Sequence, residues 1–216
     1  MKINHNSKYE KYVAFFFIIF YIVGIALFAF KSTQPLFISI TPLALFMNIA
    51  IIFYFHKQWN LKSISIFSFI IIFSFLIEML GVSSGRIFGN YIYDKGLGIK
   101  LMNTPLIIGI NWLFLVYASQ SIVSNYLKNI WYRITLSTCL MIFYDIIMEW
   151  VAPSMQMWHF TTPYPPIKNF IAWFFIALVF QMLVVAAKIK VDNYPAKMLF
   201  WLQMIFFIII GIIESN

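Results

Sequence analysis

Apolar residues run along the chain in seven long stretches broken by short polar connections: Tyr12–Phe30, Leu36–Phe55, Ile64–Leu80, Thr104–Val123, Trp131–Trp150, Asn169–Ala187 and Met198–Ile213. An α-helix needs about 20 apolar residues to cross a hydrocarbon core, and each stretch is near that length, the last being the shortest. The pattern predicts an all-α protein, a polytopic membrane bundle of about seven transmembrane helices. No internal repeat, low-complexity tail or long linker divides the chain, so residues 1–216 read as one transmembrane domain. Lys2, Lys8 and Lys11 precede the first stretch as in a signal peptide. Its length, and the lack of a small-x-small cleavage site before a soluble domain, predict a span instead. Pro42 falls inside the second stretch and is expected to kink it, which neighbouring helices tolerate in a membrane.

Composition supports lipid as the solvent. The apolar set makes up 62% of the 216 residues, aromatics 20% and charged residues only 10%. A soluble domain is about 45–50% apolar and roughly 25% charged. Disorder, collagen-like repeats and a disulfide scaffold are excluded by the apolar content, by eight Gly and eight Pro, and by a single cysteine, Cys139.

The net charge of +8 does not indicate nucleic-acid binding, because the basic residues are spread one to three per loop with no stripe to follow a phosphate backbone. Their distribution predicts orientation instead. Lys2, Lys8, Lys11, Lys57, Lys62, Lys128, Arg133, Lys188, Lys190 and Lys197 fall on the side of the N-terminus, and Lys31, Arg86, Lys95, Lys100 and Lys168 on the other. The positive-inside rule then predicts a cytoplasmic N-terminus, with the C-terminus outside. Trp59, Trp131, Trp150, Trp158 and Trp201 lie near span ends, where indole rings favour the headgroup zone.

Two connections differ from the rest. Residues 81–103 and 151–168 are long, rich in Gly, Pro, Asn and aromatics, and fall on the non-cytoplasmic side. Long loops in compact proteins tend to be functional or disordered, and this aromatic content argues against disorder. Glu10, Asp94, Asp192 and Glu214 lie in loops or at termini, whereas Glu78, Asp145 and Glu149 sit within or at the ends of apolar runs. An acid at mid-membrane costs about 2.5–3.5 kcal/mol on insertion scales, so such residues face a protein interior or a cavity. Asp145 and Glu149 are four apart and share a helix face. Glu78 is expected in the last turn of the third span and the other two in the last half of the fifth. Both spans run outward, so all three acids gather at one membrane face beside the two long loops. Asn111, Trp112, Asn169 and Trp173 open the fourth and sixth spans at that level, and the loops add Arg86, Tyr91, Tyr93, Trp158 and His159. The plainer alternative is an ion pair between Glu78 and Arg86, with Asp145 and Glu149 hydrated by headgroup water.

Other residues carry less. His159 reads as an interfacial aromatic, and with His5 and His56 elsewhere no zinc-like spacing exists. Cys139 reads as a small core residue. Gly81, Gly85, Gly89, Gly96 and Gly98 form no phosphate loop and read as turns with positive φ, although the x-x-x spacing of the first three would also allow close helix packing.

Four stretches resemble a membrane family of carotenoid biosynthesis that includes carotenoid 1',2'-hydratases and bisanhydrobacterioruberin hydratases. They are Glu78–Tyr93 (EMLGVSSGRIFGNYIY) followed by Leu97-Gly98, Thr104–Trp112 (TPLIIGINW), Tyr144–Glu149 (YDIIME) and Pro166–Trp173 (PIKNFIAW). The likeness covers residues 78–175, the family-like core. Trp150 stands where the family commonly has Pro, and Trp158-His159-Phe160 stands for its Trp-x-Trp. The resemblance implies addition of water to the terminal double bond of an acyclic carotenoid, giving a tertiary alcohol. Protonating an isolated trisubstituted alkene makes a tertiary cation and requires a positioned acid, and a carboxylic acid out of water keeps its proton more readily. Aromatic faces such as Trp112, Trp158, Tyr91 and Tyr93 can hold the cation. On this reading Asp145 is the donor, Glu149 or Glu78 the base that orients water, and Asn111 and Asn169 orienting groups. No metal, nucleotide or redox cofactor is implied. The substrate comes from the bilayer of a bacterial inner membrane, and other enzymes of the same pathway are admissible partners. A carotenoid cyclase, which starts from the same protonation, is one alternative. A small transporter or assembly factor is another, and would carry an inverted repeat or broken midplane helices.

Overall fold

The computed structural model describes residues 7–215, with side chains from residue 9 onward. Lys2 and His5 lie outside the described residues, as does the side chain of Lys8. Among the described residues, seven helices are long and apolar enough to cross a membrane: α1 (Ser7–Ala29), α2 (Gln34–Tyr54), α3 (Leu61–Ser84), α4 (Ile107–Ser124), α5 (Ile130–Val151), α6 (Ile167–Ala186) and α7 (Tyr194–Glu214). The chain is an integral membrane helix bundle, as expected from the apolar runs. In lipid every backbone polar group must be satisfied internally, which a helix achieves within one segment.

Local signals set the helix ends. At α3 the Asn60 side chain accepts from Ser63 N–H and Ser63 Oγ accepts from Asn60 N–H, a reciprocal capping box. The same helix ends at Gly85, whose φ of 63° is the left-handed conformation that glycine adopts without steric cost. Asn129 caps α5 and Asn193 caps α7. All but one of the helices run longer than the hydropathy-based spans; the fourth, expected from Thr104, starts at Ile107, because Thr104 and Pro105 are in a short hairpin. The last, expected from Met198, starts at Tyr194 and is a full crossing of 21 residues. α3 runs four residues beyond the expected Leu80, so Glu78 sits six residues before the helix end, about 9 Å deeper than a terminal position. α2 continues through Pro42, which packs against Gly98.

The bundle is organised around α4, which contacts α2, α3, α5, α6 and α7 and has 15 of its 18 residues buried. α4 and α5 are the least hydropathic spans and, with α7, the most buried ones. A helix surrounded by others keeps Asn111, Ser119, Gln120 and Ser121 away from lipid. Gln181 of α6 donates to Ser119 Oγ at 2.8 Å and Ser121 Oγ donates to the Asn193 carbonyl at 3.1 Å, whereas the Gln120 amide is buried with no hydrogen-bond partner among the described residues. Small residues permit the contact, and a Cβ on Gly109 would collide with the Ile71 carbonyl of α3. At the end opposite the long loops, the Asn193 side chain donates to the Ile52 carbonyl at 2.9 Å and to Tyr117 Oη at 3.4 Å. Tyr117 Oη lies 2.8 Å from His56 Nδ1. This network ties α2, α4 and α7 together. Cys139 is exposed on α5, not in the core, since a small apolar thiol is as compatible with lipid as with protein.

The two long loops contain short strands that the hydropathy pattern did not predict. β1 (Tyr91–Tyr93) pairs antiparallel with β4 (Trp158–Phe160), in the register Tyr91↔Phe160, Ile92↔His159, Tyr93↔Trp158. β2 (Lys100–Leu101) and β3 (Thr104–Pro105) form a hairpin whose turn residues, Met102 and Asn103, both have positive φ, as a two-residue hairpin turn requires. Gly85, Gly89 and Gly98 take positive φ as expected, while Gly81 is helical and Gly96 N–H donates to the Gln156 carbonyl at 2.6 Å.

Candidate active site

The β1–β4 ribbon is a roof over the ends of α3, α4, α5 and α6. Side chains alternate across a strand, so Tyr91, Tyr93 and Trp158 turn inward and are buried, while Ile92 is exposed and His159 partly so. Glu78 lies beneath, 2% exposed. Its Oε2 accepts from Tyr91 Oη at 2.7 Å and Tyr93 Oη at 2.8 Å, and its Oε1 accepts from Trp112 Nε1 at 2.9 Å. Burial, and then the neighbouring Glu78 charge, push both tyrosine hydroxyls well above their ordinary range, so they remain neutral donors. Three donors meeting two oxygens is the setting of a carboxylate that acts only as acceptor. Trp112 also stacks on Trp173 of α6, with ring centroids 3.9 Å apart and an interplanar angle of 24°.

The second half of the site is on α5. Glu149 Oε2 accepts from Trp158 Nε1 at 3.0 Å, and its Oε1 accepts from Asn169 Nδ2 at 3.0 Å. The same amide nitrogen reaches Asp145 Oδ2 at a long 3.5 Å. Asp145 Oδ1 is buried with no hydrogen-bond partner among the described residues. The acids therefore occupy three different settings: Glu78 is fully supplied with donors, Glu149 has one donor per oxygen, and Asp145 has a single weak one.

Glu78, Glu149 and Asn169 face a common cavity of about 20 Å3, walled by Phe88, Tyr91, Tyr93, Ile108, Trp158, Phe160 and Trp173. About 10–15 Å3 by this measure suffices for one water, which also needs two to four polar partners. The two carboxylates and the amide supply them. A larger vestibule of about 250 Å3 lies outside, lined by Pro163, Tyr164, His159 and, at its inner end, Glu149, Trp158 and Phe160. Those last three belong to both spaces, so Glu149 stands between the vestibule and the inner cavity.

The structure thus brings Glu78, Glu149, Asn169, Trp173, Tyr91, Tyr93 and Trp158 around one cavity, with Trp112 bonded to Glu78 behind its wall. Asp145 is one step removed, joined through Asn169. Asn111 is buried on α4 and makes no hydrogen bond to any of the three acids. Arg86 is exposed and, among the described residues, forms no ion pair, so it is not the partner of Glu78. Hydropathy gave no sign of Phe88, Phe160 or the Asp94–His159 pair, whose Oδ2 and Nδ1 are 2.8 Å apart on the outer side of the ribbon. Among the described residues, no three His, Cys, Asp or Glu side chains are grouped to hold a metal ion.

No curated protein and no solved structure matches the chain. One family does, described as carotenoid biosynthesis protein, over residues 40–215. This extends well beyond the four stretches between Glu78 and Trp173, and takes in most of α2 and all of α3 to α7 together with the whole carboxylate site. A chain with this cluster beneath its β-ribbon, and with that match across most of its length, belongs to the carotenoid biosynthesis protein family.

Proposed function

We propose that the protein is a cofactor-independent hydratase that adds water across the terminal double bond of an acyclic carotenoid. The observation that carries this reading is the water-sized cavity between two carboxylates in different hydrogen-bond settings, walled by aromatic rings. Glu149 faces both the cavity and the vestibule and is the proton donor to the alkene. Asp145, four residues away and linked through the same Asn169 amide, is a positioning residue that holds the second proton site of the pair. The proton adds to the less substituted alkene carbon and leaves a tertiary cation on the other. Rings of Trp173, Trp158 and Tyr91 line the space for it, each such contact contributing about 0.5–2 kcal/mol. The water oxygen forms the new C–O bond, and the resulting oxonium gives a proton to Glu78. Transfer from Glu78 back to Glu149 across the shared cavity resets the site, so one water is consumed and nothing else.

In the state described the cavity accommodates a water but not an isoprenoid end. Substrate from the bilayer must therefore displace part of the roof, a gating step of the kind loops often supply. The basic residues at the face opposite the site support a cytoplasmic N-terminus with the site facing outward, and a bacterial inner membrane is the proposed setting. Other enzymes of carotenoid synthesis are the natural suppliers of its substrate. The test is expression in a bacterium producing an acyclic carotene, with pigments analysed by mass spectrometry. A gain of one water, lost in Glu149→Gln, is expected. A pigment of unchanged mass but altered absorption indicates a cyclase, and unaltered pigment indicates a non-enzymatic role; either refutes hydration.

A further inference from the structure

A second cleft lies at the membrane face opposite the carboxylates, between the α4–α5 and α6–α7 connections. It encloses about 400 Å3, and its rim carries Arg133, Lys188 and Lys190. The one acid on its lining, Asp192, is already engaged: its Oδ1 accepts from Lys197 Nζ at 2.8 Å and from Asn125 Nδ2 at 2.9 Å, and these bonds hold its carboxyl below the usual range. Three cations are therefore left without a carboxylate, and among the described residues neither ion pair includes any of them. The Arg133 Nε is buried and has no hydrogen-bond partner among the described residues, an arrangement that costs free energy unless an acceptor arrives. Lys188 adds a second irregularity. It follows the last turn of α6 with φ of 54°, where glycine is the usual occupant. A lysine held in that conformation at the cleft rim marks a position worth a functional explanation.

Ile130, Val185, Ile189 and Val191 line one part of the cleft, beside the polar Ser124 and Asn125, so the cleft joins a cationic rim to an aliphatic wall. Free phosphate would use only the first feature, whereas an amphiphile uses both. We propose that this cleft binds the phosphate headgroup of an anionic phospholipid, with Arg133, Lys188 and Lys190 on the phosphate oxygens and an acyl chain along the aliphatic wall. Basic pockets between transmembrane helices are suited to such headgroups. The site is independent of the reaction proposed above.

The test is native mass spectrometry of the full chain in detergent, titrated with dioleoylphosphatidylglycerol, with dioleoylphosphatidylcholine and inorganic phosphate as comparisons. Preferential retention of phosphatidylglycerol is expected. Each cation near an anionic group is worth about fivefold in affinity, so Arg133→Gln/Lys188→Gln/Lys190→Gln should weaken binding on the order of 100-fold. The double variant Lys188→Gln/Lys190→Gln alters only exposed side chains, and should lose roughly 25-fold with an unchanged fold. Equal retention of the two lipids, or wild-type phosphatidylglycerol affinity in the double variant, overturns the proposal. Displacement of the lipid by millimolar inorganic phosphate overturns the lipid assignment in favour of free phosphate.

Discussion

Replacing Glu78 separates the chemical role of this carboxylate from its structural one. Trp112 Nε1, Tyr91 Oη and Tyr93 Oη all donate to it from buried positions. In Glu78→Gln the amide oxygen can keep the indole bond, and the two hydroxyls can rotate to accept from the new NH2. Three charge-assisted bonds then become neutral ones, a loss of about 1 kcal/mol each. Removing a buried charge offsets much of that loss, so the net change in stability should be smaller than about 2 kcal/mol. Glu78→Ala instead leaves three buried donors without acceptors at about 1–3 kcal/mol each. It should therefore be at least ~3 kcal/mol less stable than the glutamine variant. Both variants lose the group that takes the proton from water, and hydration should fall by about 10²- to 10⁴-fold in each. Thermal unfolding in detergent measures the stability difference, and hydrated pigment per unit of protein measures activity. Wild-type hydration by Glu78→Gln would eliminate Glu78 as the base. Equal stability of the two variants would show that its hydrogen bonds do not hold the roof in place.

Two further predictions concern the scaffold. Gly109→Ala drives a methyl group into the Ile71 carbonyl and must separate α3 from α4; a loss of about 1–3 kcal/mol is expected in thermal unfolding, with the site weakened because Glu78 and Trp112 lie on those two helices. His56 is buried beside Tyr117, and burial lowers its pKa below the ordinary 6.5. The unfolded chain then binds more protons than the folded one as pH falls through about 6.5, so stability should drop on acidification across that range. The same pH series on His56→Gln should lose this component, and an undiminished acid sensitivity would assign it elsewhere.

The apolar runs alone determine seven spans, because lipid demands about 20 apolar residues per crossing. Seven spans, in turn, put the ends of the third and fifth helices on the same face. The placement of Glu78, Asp145 and Glu149 at one face follows from that parity, whereas their lateral proximity comes from the packing of α3 and α5 around α4. The resemblance in residues 78–175 identified the family, and the match over residues 40–215 shows it. Tertiary structure decided the hydrogen-bond setting of each acid. Strands of three residues leave almost no periodic signal, and β1 and β4 find each other across more than 60 intervening residues. Only that pairing turns Tyr91, Tyr93 and Trp158 down onto the carboxylates. Capping at Asn60 and Gly85, not hydropathy, set the depth of Glu78. The position of Asn169 decided that Glu149 lines the cavity while Asp145 stands behind it. Span number depends on transfer free energy summed along each apolar run, which the sequence reports directly. Which oxygen meets which donor depends on contacts between distant segments, and those exist only after the helices and loops have packed.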